Sequence, residues 1–415
     1  MSESIRRRQT VARHGQLRSP GAVSQLLKLI GIALAVVFVS GAAVVAYIAT
    51  DLAGTVSANA VELDGQESIP PDIGAYEGGF NILLVGVDTC EDEYAHLFGE
   101  RCSGKDSHGT LNDVNLLVHV SAEPRRVTAI SFPRDLMIPI PSCEDADGNT
   151  YSAMSKQPLN SSWGYGELNC VARTISELSG QNIDFAAAVT FGGVIEITDA
   201  IGGVDVCVAS HITDRHTALD LPPGTHNLKG YDALQFLRTR KGVGDGSDLG
   251  RIGNQQQYMS NLAKKMLSGE VLGNIPTMLR LATVAVDNLT PSESLADPMR
   301  LVQIGLAVKD TDLQDVVFLQ YPTAADPDNS AKVVPLHSAA DEMWAAIAAN
   351  QRLTVTHENG SNEGVIVQDD GAGDEQQHTP DATDAPTTTE AIELPSTIKG
   401  NSAAQTTCSN GKQRG

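Results

Sequence analysis

Residues 29–49 are 21 consecutive positions without a charged side chain. At about 1.5 Å of rise per residue, a helix of that length spans the roughly 30 Å hydrocarbon core of a bilayer. On its N-terminal side, residues 1–28 hold Arg6, Arg7, Arg8, Arg13, Arg18 and Lys28 against Glu3, a local charge of +5. The positive-inside rule then puts the N-terminus in the cytoplasm and residues 50–415 outside. A cleaved signal peptide is the alternative. The run is long for a signal core, and Tyr47-Ile48-Ala49-Thr50-Asp51 is a poor cleavage sequence. No second run of comparable length occurs, which argues against a channel or transporter.

With the whole chain at −22 and the basic flank at +5, the remaining body carries −27. Such a body repels a phosphate backbone, so nucleic acid is not an expected partner. Any anionic ligand must be captured by a local basic cluster that overrides the mean field. Cysteines stand at 90, 102, 143, 170, 207 and 408, all on the expected outer side, where disulfides persist. Cys90 with Cys102 closes a short loop and is the first pairing expected. Cys143 with Cys170 is the second, and Cys207 with Cys408 follows by elimination. Zinc is disfavoured because no CxxC spacing occurs.

Residues 50–78 read as a linker. Short apolar runs at 80–87, 114–120, 127–132, 185–191, 204–208 and 315–319 predict strands. Helical spacing is found at 171–178, 192–201, 232–236, 254–266, 276–286 and 292–308. This alternation predicts one α/β domain, an α–β–α layered unit, over 79–357. Residues 358–415, with Asp369-Asp370, Asp374-Glu375 and Thr387-Thr388-Thr389, read as a disordered acidic and Thr-rich tail.

There is no HExxH, GxSxG, P-loop or Gly-rich dinucleotide turn. Instead, carboxylates and arginines sit at element ends. Asp88 follows the first strand and Asp113 opens the second. Arg134 and Asp135 close the third in Ser131-Phe132-Pro133-Arg134-Asp135. Arg238 and Arg240 are two apart, so an extended strand would aim both to one face. Asp248, Arg251 and Gln255 follow, and Arg251 and Gln255 share a face of a helix. Guanidinium forks match phosphate oxygens bidentately, and a magnesium ion held by Asp88 and Asp113 would screen a diphosphate. Each residue also has a plain explanation alone: an edge strand for Arg238 and Arg240, a cap for Asp88 or Asp113, a surface pair for Arg134 and Asp135. Their joint occurrence argues for a site. His108, His119, His211, His216 and His226 show no ligand spacing.

This ordered set resembles the LytR-CpsA-Psr family of cell-wall glycopolymer ligases. The matching stretches are Asn81 to Asp88, Asn112-Asp113, Ser131 to Asp135, Leu159-Asn160 with Trp163-Gly164-Tyr165-Gly166, Asp199 to Val204, Ala233 to Arg240, and Asp248 to Gln256. The resemblance implies an α–β–α domain with a central mixed sheet behind a single N-terminal transmembrane helix. It implies transfer of a phosphoglycan from a polyprenyl diphosphate carrier to a peptidoglycan hydroxyl, with Mg2+ as cofactor. Asp113, Arg134 and Arg251 take catalytic roles by position. Arg238, Arg240, Gln255 and Asp248 bind substrate, and Asp88 and Asp113 hold the metal. A diphosphate hydrolase and a non-catalytic envelope-polymer binding module are the alternatives. The chain departs from the family pattern at Leu111-Asn112, where many members have Arg-Ser, and at Asn254, where many have arginine.

Overall fold

The structure is a computed structural model that describes residues 60–63, 79–99, 102, 109–268, 271, 275–355, 357–358, 364–367 and 391–412. The chain divides into two units, Met1–Asp51 and Leu52–Gly415. The basic flank and the apolar run at 29–49 lie outside the described residues, as does most of the 50–78 linker. Among the described residues no helix is long and apolar enough to cross a membrane.

In chain order the main elements are β1 Phe80–Val87, β2 Asn112–Val120, β3 Val127–Phe132, α1 Glu167–Ser179, β4 Phe185–Val189, α2 Phe191–Ile201, β5 Val204–Val208, β6 Gly224–Leu228, α3 Gly230–Arg238 and α4 Asp248–Leu267. They continue with α5 Ile275–Asn288, β7 Leu289–Pro291, α6 Pro298–Val308, β8 Val316–Gln320, α7 His337–Ala348, β9 His357–Glu358, β10 Val365–Val367, β11 Lys399–Ser402 and β12 Thr407–Ser409. An eight-stranded mixed sheet runs in the order β7-β4-β1-β2-β3-β8-β11-β9. A four-stranded sheet runs β6-β5-β12-β10.

The period-2 pattern of the central strands builds the layers. Leu83, Val85 and Val87 of β1, with Leu117 of β2 and Ile130 of β3, pack under Val171 and Ile175 of α1 and Met343 and Ile347 of α7. The intervening residues face the other way. Ile82, Leu84, Val118 and Val127 meet Leu301 and Ile304 of α6, and Leu116 and Ala129 meet Met259, Ala263 and Leu267 of α4. Tyr258 and Leu262 of α4 pack on the core of the second sheet, so this helix lies between the two sheets. Sequence spacing runs a helix over 292–308. The structure has a single 3-10 turn at Glu293–Leu295 and starts α6 at Pro298, where the missing N–H costs nothing.

The tail expectation is corrected in part. Residues 391–412 fold into the domain: β11 pairs with β8, and β12 joins the second sheet beside β5. Cys207–Cys408 ties that strand down, and Cys90–Cys102 and Cys143–Cys170 are the other two disulfides.

β1, β3, β4 and β8 all run in one direction, since β1 pairs parallel with β4, β3 pairs parallel with β8, and β2 is antiparallel to both β1 and β3. Their C-terminal ends therefore share one edge with the start of β2. That edge is where open α/β sheets hold ligands.

Candidate active site

Asp113 is the second residue of β2 at this edge and the one left without a partner where the register shifts, Gly86 pairing with Val114 and Val87 with Asn112. A Cβ at Gly86 would lie 2.9 Å from that of Val114, so the crossing admits no side chain there. Asp88 fastens the turn: its N–H donates to Leu111 O at 3.1 Å, and its Oδ1 accepts from Leu111 N at 2.7 Å. Asn112, fully buried, is accepted by Asn115 Oδ1 and accepts from Trp163 N at 3.2 Å. The 159–165 segment it holds also donates from Asn160 N to Arg134 O at 3.0 Å.

Two residues beyond β3, Arg134 turns back over the start of β2. Its Nη1 donates to Asp113 Oδ1 at 2.9 Å, and its Nε lies 3.4 Å from Asp248 Oδ1 and 3.6 Å from Asp135 Oδ2. The first turn of α4 completes the group. Ser247 caps it by accepting from Gly250 N, and the acidic Asp248 suits the helix N-terminus. Arg251 Nη2 reaches Asp248 Oδ1 at 2.9 Å and donates to Asp113 O at 3.0 Å, and Nη1 lies 3.9 Å from Asp113 Oδ2. Asp113, Arg134, Asp248 and Arg251 are thus one ion-pair network assembled from three elements. Lys332 closes on Asp135 at its margin.

Burial pulls the Arg134 guanidinium down, and Asp113, Asp248 and Asp135 more than offset this and leave it raised. Its charge is fixed at any physiological pH. Arg134 Nε, Arg251 Nε and both Asp248 carboxylate oxygens are nonetheless buried without an aligned hydrogen-bond partner. Such groups are costly unless something else meets them.

Arg238 and Arg240 do not share a strand, which corrects the expectation from their spacing. Arg238 is the last residue of α3, and Thr239 is extended beyond it. Arg238 Cζ lies 4.3 Å from the Phe191 ring centroid and 5.1 Å from that of Phe98. Phe191 begins α2 directly after β4, which sets Arg238 at the same edge of the sheet. Arg240 Nε donates to Gly246 O at 3.3 Å instead. Gln255 Nε2 donates to Leu237 O at 2.9 Å, so it steadies the end of α3 from α4.

The sequence profile of the LytR_cpsA_psr family matches residues 39–349. The chain belongs to the LytR-CpsA-Psr family. It is similar to the cell wall biosynthesis protein LcpA of Corynebacterium glutamicum, 28% identical over 285 residues that cover 63% of this chain and 53% of that protein. It is also similar to TagT of Bacillus subtilis, a polyisoprenyl-teichoic acid–peptidoglycan teichoic acid transferase. That match is 25% identical over 251 residues, 59% of this chain and 70% of TagT. The crystal structure of B. subtilis TagV has the same fold, with a TM-score of 0.50 at 22% identity over 66% of this chain and 97% of that one. The chain spans about half the length of most of the curated relatives it matches first.

In this family member, several residues at the site carry no motif that sequence spacing reveals. Phe98 lies in the loop closed by Cys90–Cys102, and Glu91 of that loop accepts from Gly192 N and Thr190 Oγ1 at the start of α2. Asp214, nearly fully buried, accepts from Thr239 Oγ1 and from the N–H groups of Arg240, Lys241 and Gly242. It thereby shapes the turn after Arg238. The signal for both was slight: an aromatic in a polar loop, and an acidic residue in a short strand.

Proposed function

We propose that this protein is a membrane-anchored phosphotransferase that moves a phosphoglycan from a polyprenyl diphosphate carrier to a hydroxyl of peptidoglycan. The observation that carries it is the Asp113–Arg134–Asp248–Arg251 network at the C-terminal edge of the sheet, in which two buried guanidinium Nε groups lack an aligned hydrogen bond. The known action of TagT on polyisoprenyl-linked teichoic acid and peptidoglycan, as its name states, points to the same chemistry. Ile82, Leu84, Val118 and Val127 add support: they lie on central strands under α6 yet stay only partly buried, as an apolar lining for a prenyl chain requires.

In this reading the acceptor hydroxyl oxygen attacks the phosphorus that bears the glycan. A P–O bond to the acceptor forms, the P–O–P bridge breaks, and prenyl monophosphate leaves with the bridging oxygen. Arg134 and Arg251 bind the non-bridging oxygens, which gain charge in the transition state. Asp113 receives the acceptor proton. Arg238, set on its two rings, binds the departing phosphate, and Arg240 and Gln255 hold the backbone around it.

The network is neutral on its own, with Asp113, Asp135 and Asp248 matched by Arg134, Arg251 and Lys332. A diphosphate therefore brings charge that the cluster does not cancel. Among the described residues no group of three or more metal-binding side chains occurs. Magnesium carried by phosphate oxygens needs only one or two carboxylates; Asp113 would supply one and Asp88, at the neighbouring turn, a second. When bound, the ion would neutralise charge on the bridge. Residues 29–49 are the proposed single-pass anchor, with the catalytic domain outside the cell. Three disulfides suit that oxidising side.

The test is to incubate the full-length chain in detergent with a prenyl-diphosphate-linked glycan, peptidoglycan and Mg2+. Prenyl monophosphate and glycan-linked peptidoglycan should appear together. Equal release without acceptor would mark a hydrolase, and binding without release a tethering module.

A further inference from the structure

Arg134 lies within reach of three carboxylates at once: Asp113 at 2.9 Å, Asp248 at 3.4 Å and Asp135 at 3.6 Å. Only the first is a hydrogen bond; the other two carboxylates flank the Arg134 Nε without an aligned bond and compete for it. Asp135 is the adjacent residue, so side-chain rotation alone would let it claim the Arg134 Nε–H. What opposes this is Lys332, whose Nζ donates to Asp135 Oδ1.

The position of Lys332 is fixed by backbone bonds. It ends the turn between the paired strands Thr323–Ala325 and Val333–Pro335. Its N–H donates to Asn329 O at 2.9 Å, and Val333 N donates to Asp135 O at 3.3 Å. Val333 also bridges to Leu136. The same hairpin is tied down on its far side by Lys156, which reaches Asp326 at 2.9 Å and Asp328 at 2.6 Å. The hairpin therefore delivers one cation to one carboxylate beside the network.

We propose that Lys332 is a positioning residue for Arg134. By engaging Asp135 it keeps that carboxylate from drawing Arg134 away, and so holds Arg134 toward Asp113 and the incoming diphosphate. This inference rests on the diphosphate reading of the site.

The test uses the full-length chain in detergent with geranylgeranyl diphosphate and Mg2+ as the calorimetric probe, alongside transfer kinetics. Lys332→Gln should weaken binding about tenfold, the scale of one redirected charge-assisted hydrogen bond, and should raise KM more than it lowers kcat. Lys332→Arg should bind like the unaltered chain. Adding Asp135→Asn to Lys332→Gln should recover most of the loss, because the competing carboxylate is then neutral. A merely structural lysine would show no such recovery. The proposal fails if the double variant stays as weak as Lys332→Gln, if Lys332→Arg is as weak, or if Lys332→Gln binds normally. Absence of binding by the unaltered chain would instead overturn the diphosphate reading, and the positioning role with it.

Discussion

Arg251 and Asp113 meet twice: the guanidinium Nη2 donates to the Asp113 carbonyl oxygen at 3.0 Å, and Nη1 stands 3.9 Å from its carboxylate. The contact joins the first turn of α4 to the start of β2, elements separated by 138 residues. It makes the position of α4 and the position of the acidic group a single variable.

Arg251→Ala should therefore act on both stability and turnover. Only 7% of its side chain is exposed, and its loss leaves Asp248 without its nearest cation. A destabilisation of about 3 kcal/mol is expected from urea titration, as for other broken buried pairs. Transfer should fall by about a hundredfold or more. Arg251→Ala with unchanged turnover would remove it from the reaction.

The two rings beneath Arg238 predict a graded series. Phe98→Ala should weaken prenyl diphosphate binding by about fivefold, within the range of one cation–π contact. Phe98→Tyr should keep most of it. Calorimetry with geranylgeranyl diphosphate distinguishes this from equal losses in both variants, which would mean only that the loop had been disturbed.

Cys207–Cys408 closes a loop with a sequence separation of 201 residues. Chain-entropy reasoning gives such a link up to about 5 kcal/mol. Replacing both cysteines by serine should lower the unfolding midpoint strongly, and ending the chain at residue 390 should do so at least as much. The reason is that β12 carries Ser409, whose buried hydroxyl sits against the side-chain amides of both Asn254 and Gln257 of α4 and donates to one of them. A truncated chain that melts like the intact one would make the C-terminal strands dispensable.

Asp214 gives the pH dependence. Burial alone would raise its carboxyl, but the N–H groups of His216, Arg240 and Lys241 and the Thr239 hydroxyl bind the ionised form and hold it below the usual carboxylate range. A folded pKa below the unfolded value of about 4 contributes stability above that pH. The contribution is lost as pH falls through the depressed value. Asp214→Asn should be less stable than the unaltered chain at about pH 7, with the gap closing in acid. Urea midpoints over that range check it, and a gap independent of pH would assign the loss to packing.

Much of the fold is legible in the chain because it is written in local periods. The alternation in β1 assigns Leu83 and Val85 to one face and Ile82 and Leu84 to the other, and the Asp and Arg residues at strand and helix ends mark the edge that matters. Cys90–Cys102 and Cys143–Cys170 were the pairings expected first, and Cys207–Cys408, 201 residues apart, followed only by elimination. Other features carry no period. Lys399-Gly400-Asn401-Ser402 has no apolar alternation, yet it forms β11, because glycine lets its backbone come against Phe318: a Cβ at Gly400 would lie 2.1 Å from Phe318 O. Arg238 and Arg240 had the spacing of a strand, but α3 extends through Arg238 and its guanidinium settles on rings supplied by two distant segments.

Sequence alone determined the kinds of group available, an acidic body with a few arginines placed where elements end. Tertiary structure decided which of them meet. Lys332 and Asp135 are 197 residues apart, and no local pattern couples them. Strand order and hairpin pairing bring them together, and at that range backbone geometry, not side-chain preference, selects the partner.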